Sequence, residues 1–280
     1  MNYLITRDNS LRAALTYSGQ PRDIESTWSN HKKYLIKPLI DQGFKVDIFC
    51  HFWFDKNEIG QDYVEGSYLI GRIQETTEMF LKKELKPLKL VLEKPTSFDF
   101  IDLVPDQRFP HPIDRTLSMF KSWNSVSKEL EEYEKDNNFQ YDIVFRMRTD
   151  LVFHNTFPES KYFDLNNLYV LNRYAHLDYG IDDTFAFSSS ENIKTYYDLI
   201  NNLDEITNLG AAINPETLLG YYISNFLKLN VEKLDLNVKI FRVSYLRFSK
   251  IRTLGEILKF IERLKINLKL KIKKMIKHNF

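Results

Sequence analysis

Three short stretches of this chain gather side chains that could do chemistry. The first is Arg146-Met147-Arg148-Thr149-Asp150, set between the apolar runs Ile143-Val144-Phe145 and Leu151-Val152-Phe153. Along a strand, residues 146, 148 and 150 point to one face. Two guanidiniums and a carboxylate on that face are costly to bury unless opposite charge meets them. An anion or a metal–phosphate unit would supply it. Asp150 could hold a divalent cation through oxygen, and Arg146 and Arg148 could meet a diphosphate. An internal salt-bridge ladder is the plainer alternative, but three alternate charges at a strand centre favour a ligand.

The second stretch is Ser18-Gly19-Gln20-Pro21-Arg22, directly after the apolar run Ala13–Tyr17. In open α/β sheets, ligands sit beyond the carboxyl ends of the strands. There Gly19 would let the backbone come close to a ligand, Gln20 could bond a base or ribose, and Arg22 could face a phosphate. On spacing alone, an ordinary turn with an exposed arginine is the simpler account. The third stretch is Asp178-Tyr179-Gly180-Ile181-Asp182-Asp183-Thr184. Adjacent carboxylates before a strand could hold a metal or act as a general base toward a hydroxyl, or simply make a turn. Weaker signals remain. Glu216, in Asn214-Pro215-Glu216, is explained by the helix dipole, which favours an acid in the first turn. His51 stands near a strand end where it could touch a ligand, although a rim or core position is simpler. Trp28, Trp53 and Trp123 read as core.

The elements that must position these groups follow from pattern. A strand at Ala13–Tyr17, a helix N-capped by Asp23 and running to about Leu39 with an interruption near Pro38, and a strand at Lys45–Trp53 make a β-loop-α-β opening. That opening is the mark of a parallel sheet with a crossover helix. Helices are expected at 72–86 and Ile113–Asp136, and a loop at Pro105–Pro112. Strands are expected at Leu88–Leu92, Tyr141–Phe153, Leu168–Leu171, Thr184–Phe187 and Val238–Tyr245. Ser188 and Glu191 have capping-box spacing for a helix through Ile206. Asn214 with Pro215 starts another helix.

Composition narrows the classes. The chain has 280 residues, 39 Lys plus Arg and 38 Asp plus Glu, with 43% hydrophobic residues. That hydrophobic share argues against disorder. The charge is uneven. Residues 250–280 hold ten Lys/Arg and two Asp/Glu, leaving 29 against 36 in the rest. The acidic remainder is not a nucleic-acid coat, so no nucleic-acid partner is expected. The tail places Leu254, Leu258, Ile261, Leu264, Leu268, Ile272 and Met275 at helical steps among lysines and arginines. It reads as a basic amphipathic helix for an anionic membrane surface. Packing of that helix on the acidic body is the alternative, and Lys265 to Lys273 also alternates as a strand would. One cysteine, Cys50, excludes an internal disulfide and a Cys-based zinc site. No apolar run has spanning length, and no signal-peptide stretch precedes Arg7. The expected location is the cytoplasm, peripheral on the membrane. Gly-x-Gly-x-x-Gly, Gly-x-Ser-x-Gly and His-Glu-x-x-His are all missing from the sequence. Gly66 to Gly71 has P-loop glycine spacing but no following Lys-Ser/Thr. Common dehydrogenases, serine hydrolases, zincins and P-loop NTPases are thereby disfavoured.

Taken in order, five segments resemble the GT-A-fold glycosyltransferases of bacterial and viral surface-polysaccharide clusters. Ala14-Leu15-Thr16-Tyr17-Ser18-Gly19-Gln20-Pro21-Arg22 is similar to their opening strand and nucleotide loop. Asp47-Ile48-Phe49-Cys50-His51-Phe52-Trp53 is similar to their second strand, and Tyr141–Asp150 to their central strand, with Arg-x-Asp in place of Asp-x-Asp. Asp182–Ala186 and Pro215–Leu219 resemble two acceptor-side segments. The resemblance covers about residues 12–245. It implies an α/β, Rossmann-like, mostly parallel sheet flanked by helices, as a domain over residues 1–248, with residues 249–280 as the helical tail. It further implies sugar transfer from a UDP- or GDP-linked donor to a hydroxyl of a capsule or lipopolysaccharide acceptor. Ser18, Gly19, Gln20, Arg22 and His51 would line the donor site. Asp150 would bind Mn²⁺ or Mg²⁺, Arg148 and Arg146 would face the leaving diphosphate, and Asp183, Asp182 or Glu216 would be the base. With one carboxylate where the family has two, metal-free catalysis by the arginines is open. A non-catalytic nucleotide- or carbohydrate-binding protein of the same fold is the alternative.

Overall fold

A computed structural model of the chain describes residues 10–59, 63–65, 68–70, 73–96, 98, 103, 112–173, 180–241 and 243–244. The basic tail, residues 105–111, Asp178, Tyr179 and Tyr245 lie outside them.

Strand β1 (Arg12–Gly19) is apolar through its centre because both of its faces are buried, as central parallel strands require. The chain turns into α1 (Ile24–His31), passes through a π turn at Lys32–Ile36, and continues as α2 (Lys37–Asp41). Pro38 falls inside this continuous helical run, and Tyr34 O, four residues back, accepts instead from Phe157 N at 2.8 Å. Strand β2 (Lys45–Trp53) returns parallel to β1. After β3 (Tyr63–Glu65) and β4 (Tyr68–Ile70) come α3 (Thr77–Phe80), a π turn at Leu81–Leu85 and β5 (Lys89–Glu93). The long α4 (Ile113–Asp136) leads to β6 (Ile143–Met147) and β7 (Leu151–Phe153). Then follow β8 (Leu168–Leu171), β9 (Phe185–Ser188), α5 (Ser190–Tyr197) and α6 (Leu203–Asn208). The remaining elements are α7 (Pro215–Tyr221), β10 (Val231–Leu234), β11 (Val238–Ile240) and β12 (Val243–Ser244).

The chain divides into two units. One comprises residues 1–61 and 72–241, the other 62–71 and 242–280. In the second, β12, β4 and β3 form a small antiparallel sheet. In the first, a seven-stranded sheet has the order β10-β8-β9-β6-β1-β2-β5. Six strands point one way and β9 is reversed. The fold class is therefore the expected one, a mostly parallel sheet flanked by helices.

Strand order positions the site. From β1 the chain winds outward to β2 and β5, then returns to the other side of β1 as β6. The carboxyl ends of β1 and β6 thus flank the point where the winding reverses, which is where open α/β sheets bind ligands. Strand β9, being reversed, brings its amino end to that same edge.

Three expectations are corrected. The expected strand Tyr141–Phe153 is broken: Arg148 is in neither strand, and Thr149 and Asp150 turn the chain between β6 and β7. Strand β7 instead pairs with β11, so the three alternate charges do not share one strand face. The cap of α5 is Ser189, whose hydroxyl accepts from Asn192 N at 3.4 Å. Ser188 remains in β9 opposite Val144 and gives its hydroxyl to Leu165 O and Asn167 O. Asp23 holds the N-cap position of α1 at φ 48, without the capping bond.

Candidate functional site

Register brings the sequence motifs together. Thr16 lies opposite Arg146 and Tyr17 opposite Met147, so Ser18 and Arg148 are each the next residue toward the carboxyl edge. Across the next boundary Met147 pairs with Phe185, which sets Thr184 beside Arg148. On the outer side Ser18 pairs with His51. The residues that follow the last paired positions at the carboxyl edge are thus Arg148 after β6 and Thr184 before β9, next to the Ser18–His51 pair.

The loop after β1 starts at Gly19, with φ 96 and nothing within 4 Å of where a Cβ would stand. That backbone favours glycine, and the open space leaves room for a ligand to approach. Gly19 N donates to Ser122 Oγ at 2.7 Å, and Ser122 Oγ lies 3.1 Å from His51 O. Ser122, in the middle of α4, thus ties the ends of β1 and β2 together. Half-buried Gln20 accepts from Arg22 Nε at 2.9 Å through Oε1, and its carbonyl accepts from Thr149 Oγ1 at 3.2 Å. The β1 loop and the β6 turn are therefore bonded directly.

Arg148 and Asp150 face each other as a fork. Arg148 Nε meets Asp150 Oδ1 at 2.9 Å and Nη2 meets Oδ2 at 2.7 Å. Burial alone would weaken the guanidinium's hold on its proton. The charge of Asp150, with Asp183 and Asp182 further off, outweighs that and raises its pKa. The Arg148 side chain is 17% exposed and that of Asp150 5%. A divalent cation at Asp150 would have to displace Arg148. Among the described residues no three Asp, Glu, His or Cys side chains cluster as metal ligands. As arranged, these donors do not fit a resident cation.

The two adjacent aspartates differ. Asp182 is fully buried and builds its loop: Oδ1 accepts from Thr184 N at 2.8 Å, from Thr184 Oγ1 and from Phe185 N at 3.2 Å, and Oδ2 meets Arg173 Nη1 at 3.4 Å. Burial and the charge of Asp183 raise its pKa against those bonds. Asp183 makes no hydrogen bond to a described residue, and its charge is felt at Arg148, Asp182 and Tyr196. Glu216 is half-buried in the first turn of α7, and its carbonyl accepts from Ile181 N at 3.2 Å. Asn214 caps α7 by accepting from Thr217 N at 3.2 Å, as its position before Pro215 predicts.

Two expected donor contacts lie deeper than a surface site requires. Arg146 is 1% exposed, its guanidinium 4.5 Å from the centroid of the Trp123 ring, and its Nε and Nη1 have no hydrogen-bond partner among the described residues. His51 is fully buried between Ser122 Oγ (2.8 Å) and Glu93 Oε2 (3.2 Å). Burial lowers its pKa despite Glu93, so it is a neutral brace of the edge. The Ser122–His51–Glu93 chain is no nucleophile device, because the serine is fully buried and triply engaged.

Sequence reasoning missed Ser122 and Arg173. Arg173 stands two residues past the end of β8, and its place after a strand end was the available signal. Ser122 had none beyond being polar within the buried stripe of α4. Trp123, read as core, is core, and it also forms a platform between Arg146 and Tyr196, whose ring stacks on it at 5.0 Å.

The fold and site together define an α/β chain with an anion-suited site at a sheet's switch point. No protein-family model matches the sequence, and no curated protein sequence matches it. Among solved structures, the chain is similar to the glycosyltransferase GlyE of Streptococcus pneumoniae TIGR4, at 13% identity and a TM-score of 0.36 over 81% of this chain. It spans 46% of that chain's length. A likeness of this size carries no argument about activity.

Proposed function

We propose that this protein is a glycosyltransferase that moves a sugar from a nucleoside diphosphate donor to an acceptor hydroxyl. One observation carries the reading. At the switch point of a mostly parallel sheet the Gly19–Arg22 loop is bonded to the turn that carries Arg148, through Thr149 Oγ1 and Gln20 O, and Arg148 feels the charge of Asp183, a carboxylate with no hydrogen bond to a described residue.

In this reading the diphosphate lies against the backbone at Gly19, with Arg148 and Arg22 toward its oxygens. The nucleoside extends along the carboxyl ends of β2 and β5, where Phe54, Lys56, Asn57 and Lys94 line a cleft. Asp183 takes the proton of the acceptor hydroxyl as its oxygen attacks the sugar's anomeric carbon. The bond to the diphosphate breaks, and the departing charge meets Arg148. Asp182 is fully committed to its loop, so it positions Asp183 and does not serve as the base. Glu216 holds the loop at Ile181 through its carbonyl.

The test is a panel of UDP- and GDP-linked sugars, with donor hydrolysis or transfer as readout. Turnover of at least one donor is expected. Asp183→Asn is expected to retain nucleotide affinity and lose turnover by about a hundredfold or more, the scale of a general-base contribution. Failure of every donor would overturn the reading. For location, we propose that the basic tail rests on an anionic membrane. No helix among the described residues is long and apolar enough to cross one. Binding to phosphatidylserine vesicles should weaken with salt and vanish on deletion of residues 250–280.

A further inference from the structure

Asp150 is the residue at which the sequence anticipates a cation, yet both of its oxygens are held by one guanidinium. We propose that Arg148 is an exchangeable cation: a diphosphate takes it over from Asp150, and no metal ion stands between protein and diphosphate. The inference rests on the nucleoside diphosphate reading above and names how that site neutralises its ligand.

Three features support it. A guanidinium fork fits a carboxylate and a phosphate equally well, so exchange keeps the same two-pronged geometry. Of the two partners Arg148 is the more exposed, so a ligand meets the arginine first. A buried layer beneath the edge is short of acceptors. Among the described residues Ser18 Oγ and the Nε and Nη1 of Arg146 have no hydrogen-bond partner, although both residues are at least nine-tenths buried. Ser18 and Arg146 lie on one sheet face, one pleat apart across β1 and β6. Buried donors of this kind are rarely left unmatched, and the positive charge of Arg146 beneath the edge favours an anion there. A cation at Asp150 would require Arg148 to give up both carboxylate oxygens.

The two accounts predict opposite signs at Asp150. The probes are inorganic pyrophosphate, UDP and GDP, titrated calorimetrically into the full chain in EDTA and again with Mn²⁺. Exchange predicts binding of pyrophosphate and of at least one nucleotide in EDTA, changed less than about threefold by Mn²⁺. Arg148→Gln should weaken it by about tenfold to a hundredfold, the scale of a charged hydrogen-bond pair. Asp150→Asn, which removes the competing carboxylate, should tighten it. Binding that requires Mn²⁺, or that Asp150→Asn abolishes in a folded protein, overturns the exchange and leaves the glycosyltransferase reading standing. If Asp150→Asn does not fold, the wild-type titrations with and without Mn²⁺ still decide. If none of the three probes binds under either condition, exchange and glycosyltransferase reading fall together.

Discussion

The two faces of the seven-stranded sheet are built from the same strands and serve different ends. On one face, Leu15, Tyr17, Phe52, Phe145, Met147, Phe185 and Phe187 form a continuous apolar cluster with Phe153 and Phe157. Phe187 lies at its centre, its ring 4.9 Å from those of Tyr169 and Phe163 and 5.3 Å from Phe145 and Phe157. On the other face the apolar residues Ala14, Phe49 and Val144 give way, toward the carboxyl edge, to Thr16, Ser18, His51 and Arg146. One face is filled for stability. The other keeps polar groups buried at the end where a ligand would bind, some of them unmatched. A cost in stability accepted at one end of one face is the mark of a site.

Substitutions on the two faces should therefore behave differently. The largest effect belongs to the apolar face. Phe187→Ala should cost about 3–5 kcal/mol in chemical denaturation, because the surrounding rings cannot collapse to fill the space. While folded, that variant should bind nucleotide as the wild type does. A cost under about 1 kcal/mol would show that this face is not the main support.

Against the apolar face packs His31 of α1, whose Nε2 donates to Leu151 O at 2.7 Å and whose Nδ1 accepts from Tyr17 Oη at 3.0 Å. Burial lowers its pKa to about 4, against the pull of Leu151 O and Asp150. As pH falls from about 6.5 to 4, the unfolded chain takes the proton and the folded one does not. Stability should drop over that window by about 3 kcal/mol and level off below it. In His31→Gln this part of the pH dependence should disappear. An unchanged slope would mean that other groups cause it.

The polar face should respond with the opposite sign. Arg146→Met removes a buried cation that has no carboxylate partner. Its stability should hold or rise, by about 1–2 kcal/mol, because an apolar side chain of similar volume avoids the desolvation cost. Nucleotide affinity should fall. A large loss of stability would show that Arg146 is structural cement, and the contrast between the faces would fail. The smallest effect is expected at Asn214, the cap of the helix whose Glu216 carbonyl braces the aspartate loop. Asn214→Ala should cost about 1 kcal/mol in thermal or chemical unfolding.

Much of the fold was legible in the sequence because its elements carry strong local signals. Strands β2 and β8 and helix α4 fall at their expected bounds, since apolar run, turn residue and amphipathic stripe all agree there. Strand β10 was missed because Val231–Leu234 lies at the sheet edge with its charged residues exposed, and it looks like a loop. The site was legible by residue type but not by depth. Arg146, Arg148 and Asp150 read as one charged face, whereas the strand ends at Met147 and Arg148 and Asp150 pair with each other in the turn that follows. Pairing across 129 residues, Thr149 to Gln20, has no local signature. Nor does the difference between Asp182 and Asp183, which comes from Arg173 and Thr184 claiming only the first.

The central claim is that the carboxyl edge is a sugar-transfer site with Asp183 as its base. The most direct measurement is donor turnover by wild type and Asp183→Asn across the nucleotide-sugar panel, with nucleotide affinity measured on the same samples. The account predicts turnover by the wild type, and in the variant retained affinity with turnover lost by about a hundredfold or more. Equal turnover in a folded Asp183→Asn, or none in the wild type with any donor, would contradict it.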